Sequence, residues 1–181
     1  MSTVSSRDTA TGSAAARPVN LPLRKRGWDI FFIVMFSLFS ITCIISDAIP
    51  TLGIPQTATT TNILAQWNYT YSSQYDPLYQ HEALWLRFIT GTSAFVYLPF
   101  YILLIVCLVK GFNWIQLFAV IYATMIISLT AIPIFGVEFF GPVGERTPNP
   151  VVFLLYNGPY VLVPLLLLIR MRKPLPFTRR F

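Results

Sequence analysis

Histidine occurs once and cysteine twice in this 181-residue sequence, and charged residues make up only 11% of it. So few histidines and cysteines cannot build a paired-cysteine metal motif, and HExxH, P-loop and GxGxxG patterns are also missing. Zinc hydrolases, P-loop nucleotide hydrolases and dinucleotide enzymes are therefore excluded, and no cofactor or metal is expected. A soluble domain carries about 25% charged residues. Here hydrophobic residues reach 55% and the mean hydropathy is +0.61, too apolar for a surface facing water on all sides. The excess must face lipid. Acids are scarce as well, seven against thirteen lysines and arginines, for a net charge of +6. That charge could suit nucleic acid, but the basic residues stand beside hydrophobic runs: Arg24, Lys25 and Arg26, then Arg170, Arg172 and Lys173. This is the positive-inside pattern of a membrane protein, and no nucleic-acid partner is expected.

Four apolar runs of 21 to 25 residues follow a polar start: Trp28–Ile49, Trp85–Val109, Trp114–Phe135 and Val151–Met171. A helix crossing the hydrocarbon needs roughly 20 residues, and lipid offers no partner for an open backbone. The predicted fold is an all-α membrane protein, a four-transmembrane-helix bundle with kinked helices. Residues 1–26 are expected to form a disordered cytosolic tail, 27–173 the membrane domain and 174–181 a basic cytosolic tail. The first run is too long for a signal-peptide core and reads as an uncleaved anchor. Eleven lysines and arginines fall on the side of the two termini and two, Arg87 and Arg146, on the other. That asymmetry puts both termini in the cytosol and the Thr51–Leu84 and Gly136–Pro150 loops in the lumen. Asn68-Tyr69-Thr70 in the first loop is a possible acceptor for N-glycosylation. Cys43 and Cys107 differ in depth by roughly 15 Å or more, so no disulfide is expected between them. There is no internal repeat, which argues against an inverted-repeat transporter.

Polar residues inside the spans carry the functional information, because an intramembrane acid is costly and has a partner or a task. Asp29 follows Trp28 at the boundary and is expected to pair with Lys25 or Arg26 in the headgroup layer. Asp47 lies near the far end of the first span, on the helical face of Ser37 and Ser40. Thr90, Ser93, Tyr97 and Tyr101 recur at offsets of three and four in the second span, so they share a face. Asn157, Tyr160 and Pro164 do so in the fourth, and Tyr122 and Pro133 in the third, with Thr130 nearby. Interhelical hydrogen bonding in a packed bundle and a ligand cavity fit this spacing equally well. Pro99, Pro133 and Pro164 stand inside spans, where each removes a donor and crowds the carbonyl four residues earlier; such kinks can splay a bundle and open space. His81 and Glu82, adjacent in a loop, read as a solvated turn.

In order and spacing, several short pieces resemble the EXPERA superfamily of four-helix membrane proteins. They are Asp47 closing the first span, Asp76-Pro77-Leu78-Tyr79-Gln80 followed by Trp85, and Leu98-Pro99-Phe100. Further on come Ile121-Tyr122 with Thr130, Ile132-Pro133-Ile134, and Pro159-Tyr160-Val161-Leu162-Val163-Pro164. The resemblance covers Trp28 to about Pro174. The superfamily includes the emopamil-binding sterol isomerases and transmembrane protein 97, the sigma-2 receptor. The chain looks closest to the latter branch and to its fungal relative, the efficient mitochondria targeting-associated protein. The resemblance implies an endoplasmic reticulum membrane protein with a sterol- or amine-binding cavity open toward the bilayer. In it the carboxylate matching Asp47 pairs with a ligand amine and that matching Asp76 supports the site. Positions matching Ser93, Tyr97, Thr130, Asn157 and Tyr160 complete the candidate ligand-binding set. Ser93 stands where the relatives carry an acid, and Thr90 and Ile89 where the isomerases need a histidine. The expected function is thus non-catalytic: sterol or lipid binding in lipid homeostasis or trafficking. Two alternatives remain, an endoplasmic reticulum surface factor assisting mitochondrial precursors, and a sterol or terpenoid double-bond isomerase. The latter needs a general acid and a counter-charge, which only Asp47 and Asp76 could supply. Expected partners are a membrane lipid or sterol, with other endoplasmic reticulum membrane proteins and a second copy of the chain as further candidates.

Overall fold

The computed structural model describes residues 18–81 and 83–180. Three continuous helices are long and apolar enough to cross a membrane, Gly27–Thr51, Leu84–Lys110 and Ile115–Phe140. A fourth span is built from two helices, Pro150–Asn157 and Pro159–Met171, which meet at 41°. The chain is a multi-pass, all-α membrane bundle, as its composition predicts. Large apolar side chains such as Leu103, Leu117, Ile132 and Leu155 are exposed along the outside, which is the arrangement a lipid solvent requires.

The half of the bundle nearest the termini is solidly filled. Phe32, Phe36 and Phe39 of the first span pack on Tyr101, Leu104 and Tyr122 of the second and third. The Tyr122 hydroxyl donates to that of Tyr101 at 3.2 Å, so these buried phenols satisfy each other. Gly111 ends the second span with φ of 74°, the left-handed conformation that closes a helix and that glycine adopts without a Cβ penalty. Cys43 and Cys107 are both free and buried.

Asp29 is fully buried within the protein, at 0% exposure. Arg26 donates to its carboxylate at 2.8 Å, as the sequence suggested, and Arg170 of the fourth span adds bonds of 2.9 and 3.2 Å. Arg26 also reaches the Leu108 and Val109 carbonyls at the end of the second span. Both guanidinium groups lie over the Phe177 ring, 5.5 and 5.1 Å from its centroid. The flanking segments are correspondingly ordered: Pro18–Asn20 pairs antiparallel with Thr178–Arg180, and Phe177 is buried. Residues 18–26, expected to be disordered, are therefore docked against the C-terminal segment, while the disorder expected of 1–17 lies outside the described residues.

The prolines act by widening turns more than by kinking. The segments Cys43–Asp47, Ser93–Tyr97 and Ile126–Ala131 are π-helical turns, placed just ahead of Pro50, Pro99 and Pro133. Proline has no N–H and its ring collides with the carbonyl four residues back. A π turn moves that carbonyl away and gives it a donor one residue further on. The bend in the fourth span falls at Gly158-Pro159 rather than at Pro164, which sits inside an unbroken helix. A Cβ at position 158 would collide with the Leu154 carbonyl oxygen, so this bend depends on glycine.

The Thr51–Leu84 loop also folds. Asn62 caps a helix over Ile63–Tyr75 by accepting from the Leu64 and Ala65 amides, and a short helix, Pro77–His81, follows. These two helices form a cap over the end of the bundle opposite the termini.

Candidate functional site

Beneath the cap the four spans part around a cavity of about 290 Å³, at the small end of ligand pockets. The first three spans reach it with residues of their π turns. Asp47 closes the first such turn, Ser93 opens the second and Thr130 lies in the third. The extra residue of each turn changes helical phase, and this overturns one predicted stripe. Ser37 is exposed on the outside and bonds only to the Ile33 carbonyl, so it does not share a face with Asp47.

Of the seven residues singled out as ligand-binding, Asp47, Asp76, Ser93, Thr130, Asn157 and Tyr160 line this cavity. Tyr97 does not; it is buried below the floor, its hydroxyl facing Thr130. Asp47 is half-buried and bracketed by donors. The Tyr79 hydroxyl donates to its Oδ1 at 3.1 Å, and Cys43 and Ser93, themselves 3.4 Å apart, lie within hydrogen-bonding reach of its carboxylate. No ion pair between described residues reaches Asp47. Across the cavity, Asn157 donates to the Tyr71 hydroxyl at 2.9 Å, and Tyr160 is bonded to Thr42. Ile45, Ile89, Ile126 and Ile134 make the remaining wall apolar. The site thus combines an acid and a few polar groups from the cap and the spans with a largely apolar wall.

Asp76 ends the Ile63–Tyr75 helix and is buried. Burial pushes its carboxyl up to about 6, above the usual carboxylate range, with the Glu138 carboxyl beside it. Burial, then the Asp47 carboxylate, likewise hold the Tyr79 phenol far above its ordinary value, so it remains a donor. Asn68 reverses another expectation. Its amide nitrogen, the atom a glycan would occupy, is buried and donates to Gln56; the folded sequon has no room for a sugar. His81 is exposed and bonds to the Gly144 carbonyl, and its neighbour Glu82 lies outside the described residues.

Sequence reasoning missed Trp67, Tyr71 and Tyr79 on the cap, and Glu138. Tyr79 was within reach, since it stands in the Asp76–Gln80 motif. The sequence pattern puts Glu138 in a loop, because the third apolar run ends at Phe135, but the helix continues to Phe140.

Fold and site together define a multi-pass membrane protein with an intramembrane pocket. The profile of the EXPERA, or expanded EBP, superfamily matches residues 63–171, and the chain belongs to that superfamily. The match contains the cap and the last three spans, and begins after Asp47. No curated protein matches the chain.

Proposed function

We propose that the protein binds a sterol or a related lipid, without catalysis, in the cavity under the cap, and that it serves lipid homeostasis or trafficking in the endoplasmic reticulum membrane with both termini cytosolic. The observation that carries this reading is the polarity of the cavity. Isoleucines line it together with a few polar groups, Asp47 and Tyr79 on one side and Asn157 and Tyr160 on the other. That arrangement suits a long hydrocarbon body with one polar or cationic head. Membership of the superfamily supports the same ligand class. Against catalysis, the second span offers Thr90 and Ser93 to the cavity, neither of which is a proton donor strong enough to make a carbocation.

Mass spectrometry of lipids retained through mild detergent purification tests the reading. A sterol or single lipid class should co-purify near one per chain, and Ile126→Trp, which fills the apolar flank, should abolish retention. Equal retention of bulk phospholipids by both proteins would reject it.

A further inference from the structure

The carboxyl groups of Asp76 and Glu138 meet where the two cap helices join the end of the third span. Each residue is 1% exposed. Glu138 Oε1 accepts the Leu78 amide at 3.3 Å, but Asp76 Oδ1 and Glu138 Oε2 are buried without any other described donor. No ion pair between described residues reaches either side chain. The titratable groups that face them are Tyr71 and Tyr79 from the cap helices and, through Tyr79, Asp47 from the first span; Tyr156 of the fourth span stacks beyond Tyr71. None of these is a cation. Two carboxylates in contact repel, and two carboxylate oxygens without donors are costly to bury. One proton removes both penalties, because the O–H of one acid then donates to the carboxylate of the other.

We propose that Asp76 and Glu138 share a single proton, and that this bond is a pH-sensitive clasp that holds the cap over the cavity and opens as alkaline pH removes the proton. The junction is placed to act on the cap. Glu138 holds the Leu78 amide, and its own carbonyl accepts from Thr147, whose hydroxyl donates to the Tyr75 carbonyl at 2.8 Å. One residue past Leu78, Tyr79 reaches Asp47. The other ties of the cap are Asn68 to Gln56 and Tyr71 to Asn157, both between neutral groups, and His81 to the Gly144 carbonyl, a contribution that persists in the Glu138 and Asp76 variants and is removed by comparison with them. The sign follows from the charges. Acidification leaves the pair neutral or singly charged and still bonded. Alkaline pH creates a second buried negative charge beside the first, and the two sides separate.

An effect on ligand retention rests on the cavity reading above, but the opening of the cap does not. Hydrogen–deuterium exchange of the full chain in lipid nanodiscs, with no added ligand, therefore tests the clasp separately. After correction for intrinsic exchange, residues 63–81 should exchange at least about tenfold faster at a pH of about 9.5 than at about 6, with the core around Tyr101 unchanged. Glu138→Gln replaces the shared proton with an amide N–H that cannot be lost and keeps the acceptor for Leu78. It should reduce the pH effect to less than about twofold. Asp76→Asn does the same from the other side, should the first variant fold poorly. A cap whose corrected exchange is independent of pH in the unaltered protein, or equally dependent on pH in both variants, overturns the proposal.

Discussion

A carboxylate inside a membrane protein needs a cation, donors or a proton, and the two aspartates of the first span meet that need differently. Asp29 lies between the guanidinium groups of Arg26 and Arg170. Asp47 has the Tyr79 hydroxyl and its Cys43 and Ser93 neighbours, and faces the cavity. The charge of Asp47 is therefore open to a ligand cation. Asp47→Asn should weaken a protonated-amine ligand at least about tenfold, or about 1.4 kcal/mol, and leave a neutral sterol nearly unaffected, as displacement binding would show. Equal losses for both ligands would remove Asp47 from the head-group site. Asp29→Asn should behave otherwise. It strips the counter-charge from two guanidinium groups, and breaking a buried pair costs about 3–5 kcal/mol, less here because Arg170 is partly exposed. The expected result is a clear fall in melting temperature with no preference among ligands. A melting temperature equal to that of the unaltered protein would contradict the buried network. Charge placement alone suggested a boundary ion pair at Asp29. What it could not reveal was Arg170, 141 residues away in the chain and brought close only by packing.

At the scale of elements, prolines were visible in the sequence but their consequence was not. Periodicity at 3.6 residues marks Thr90, Ser93, Tyr97 and Tyr101 as inward-facing, and all four are buried, but only Thr90 and Ser93, ahead of or opening the π turn, line the cavity. It fails for Ser37 because a π turn intervenes before Asp47, shifting the phase of everything beyond it. The cap helix Ile63–Tyr75 was hidden for a different reason. Its buried face is Ala65, Asn68 and Ser72, small and polar residues that leave no apolar stripe, so only the Asn62 cap could have signalled it. Six of the seven candidate site residues nonetheless converge: five pair a polar identity with a position inside an apolar run, and the sixth, Asp76 in the loop, is reached only through the resemblance to the superfamily. The bend at Gly158 aims two of them, Asn157 and Tyr160, into the cavity. Gly158→Ala forces a Cβ against the Leu154 carbonyl and should cost about 1–3 kcal/mol. The same change should reduce lipid retention, because both side chains move with the bend. Unaltered melting and retention together would show that the bend does not need glycine.

The whole molecule is arranged with its terminal segments together at one end and the cap at the other, which makes the membrane orientation testable by two labels. Lys173 is exposed beside the paired terminal strands, and Thr59 is exposed in the segment leading to the cap. Lys173→Cys should react with a membrane-impermeant thiol reagent on sealed, cytosol-out microsomes, and Thr59→Cys only after the membrane is breached. Labelling of Thr59→Cys in intact vesicles would invert the proposed topology. The number of apolar crossings is legible because lipid imposes length and apolarity on each of them, but the limit of the third is not, since its helix runs past Phe135 to Phe140. The docking of the flanking segments is not legible either, because it rests on a single buried ring, Phe177, and a three-residue pairing.

That docking has a consequence for biosynthesis. The first span emerges from the ribosome with Asp29 and Arg26 already in place, but Arg170, the other counter-charge of Asp29, follows 141 residues later. Until the fourth span is inserted, an intermediate holds Asp29 half-compensated and the partner strand of Pro18–Asn20 is missing. The latch therefore closes only after the fourth span has joined the first three, so the terminal segments lock the bundle late in its assembly.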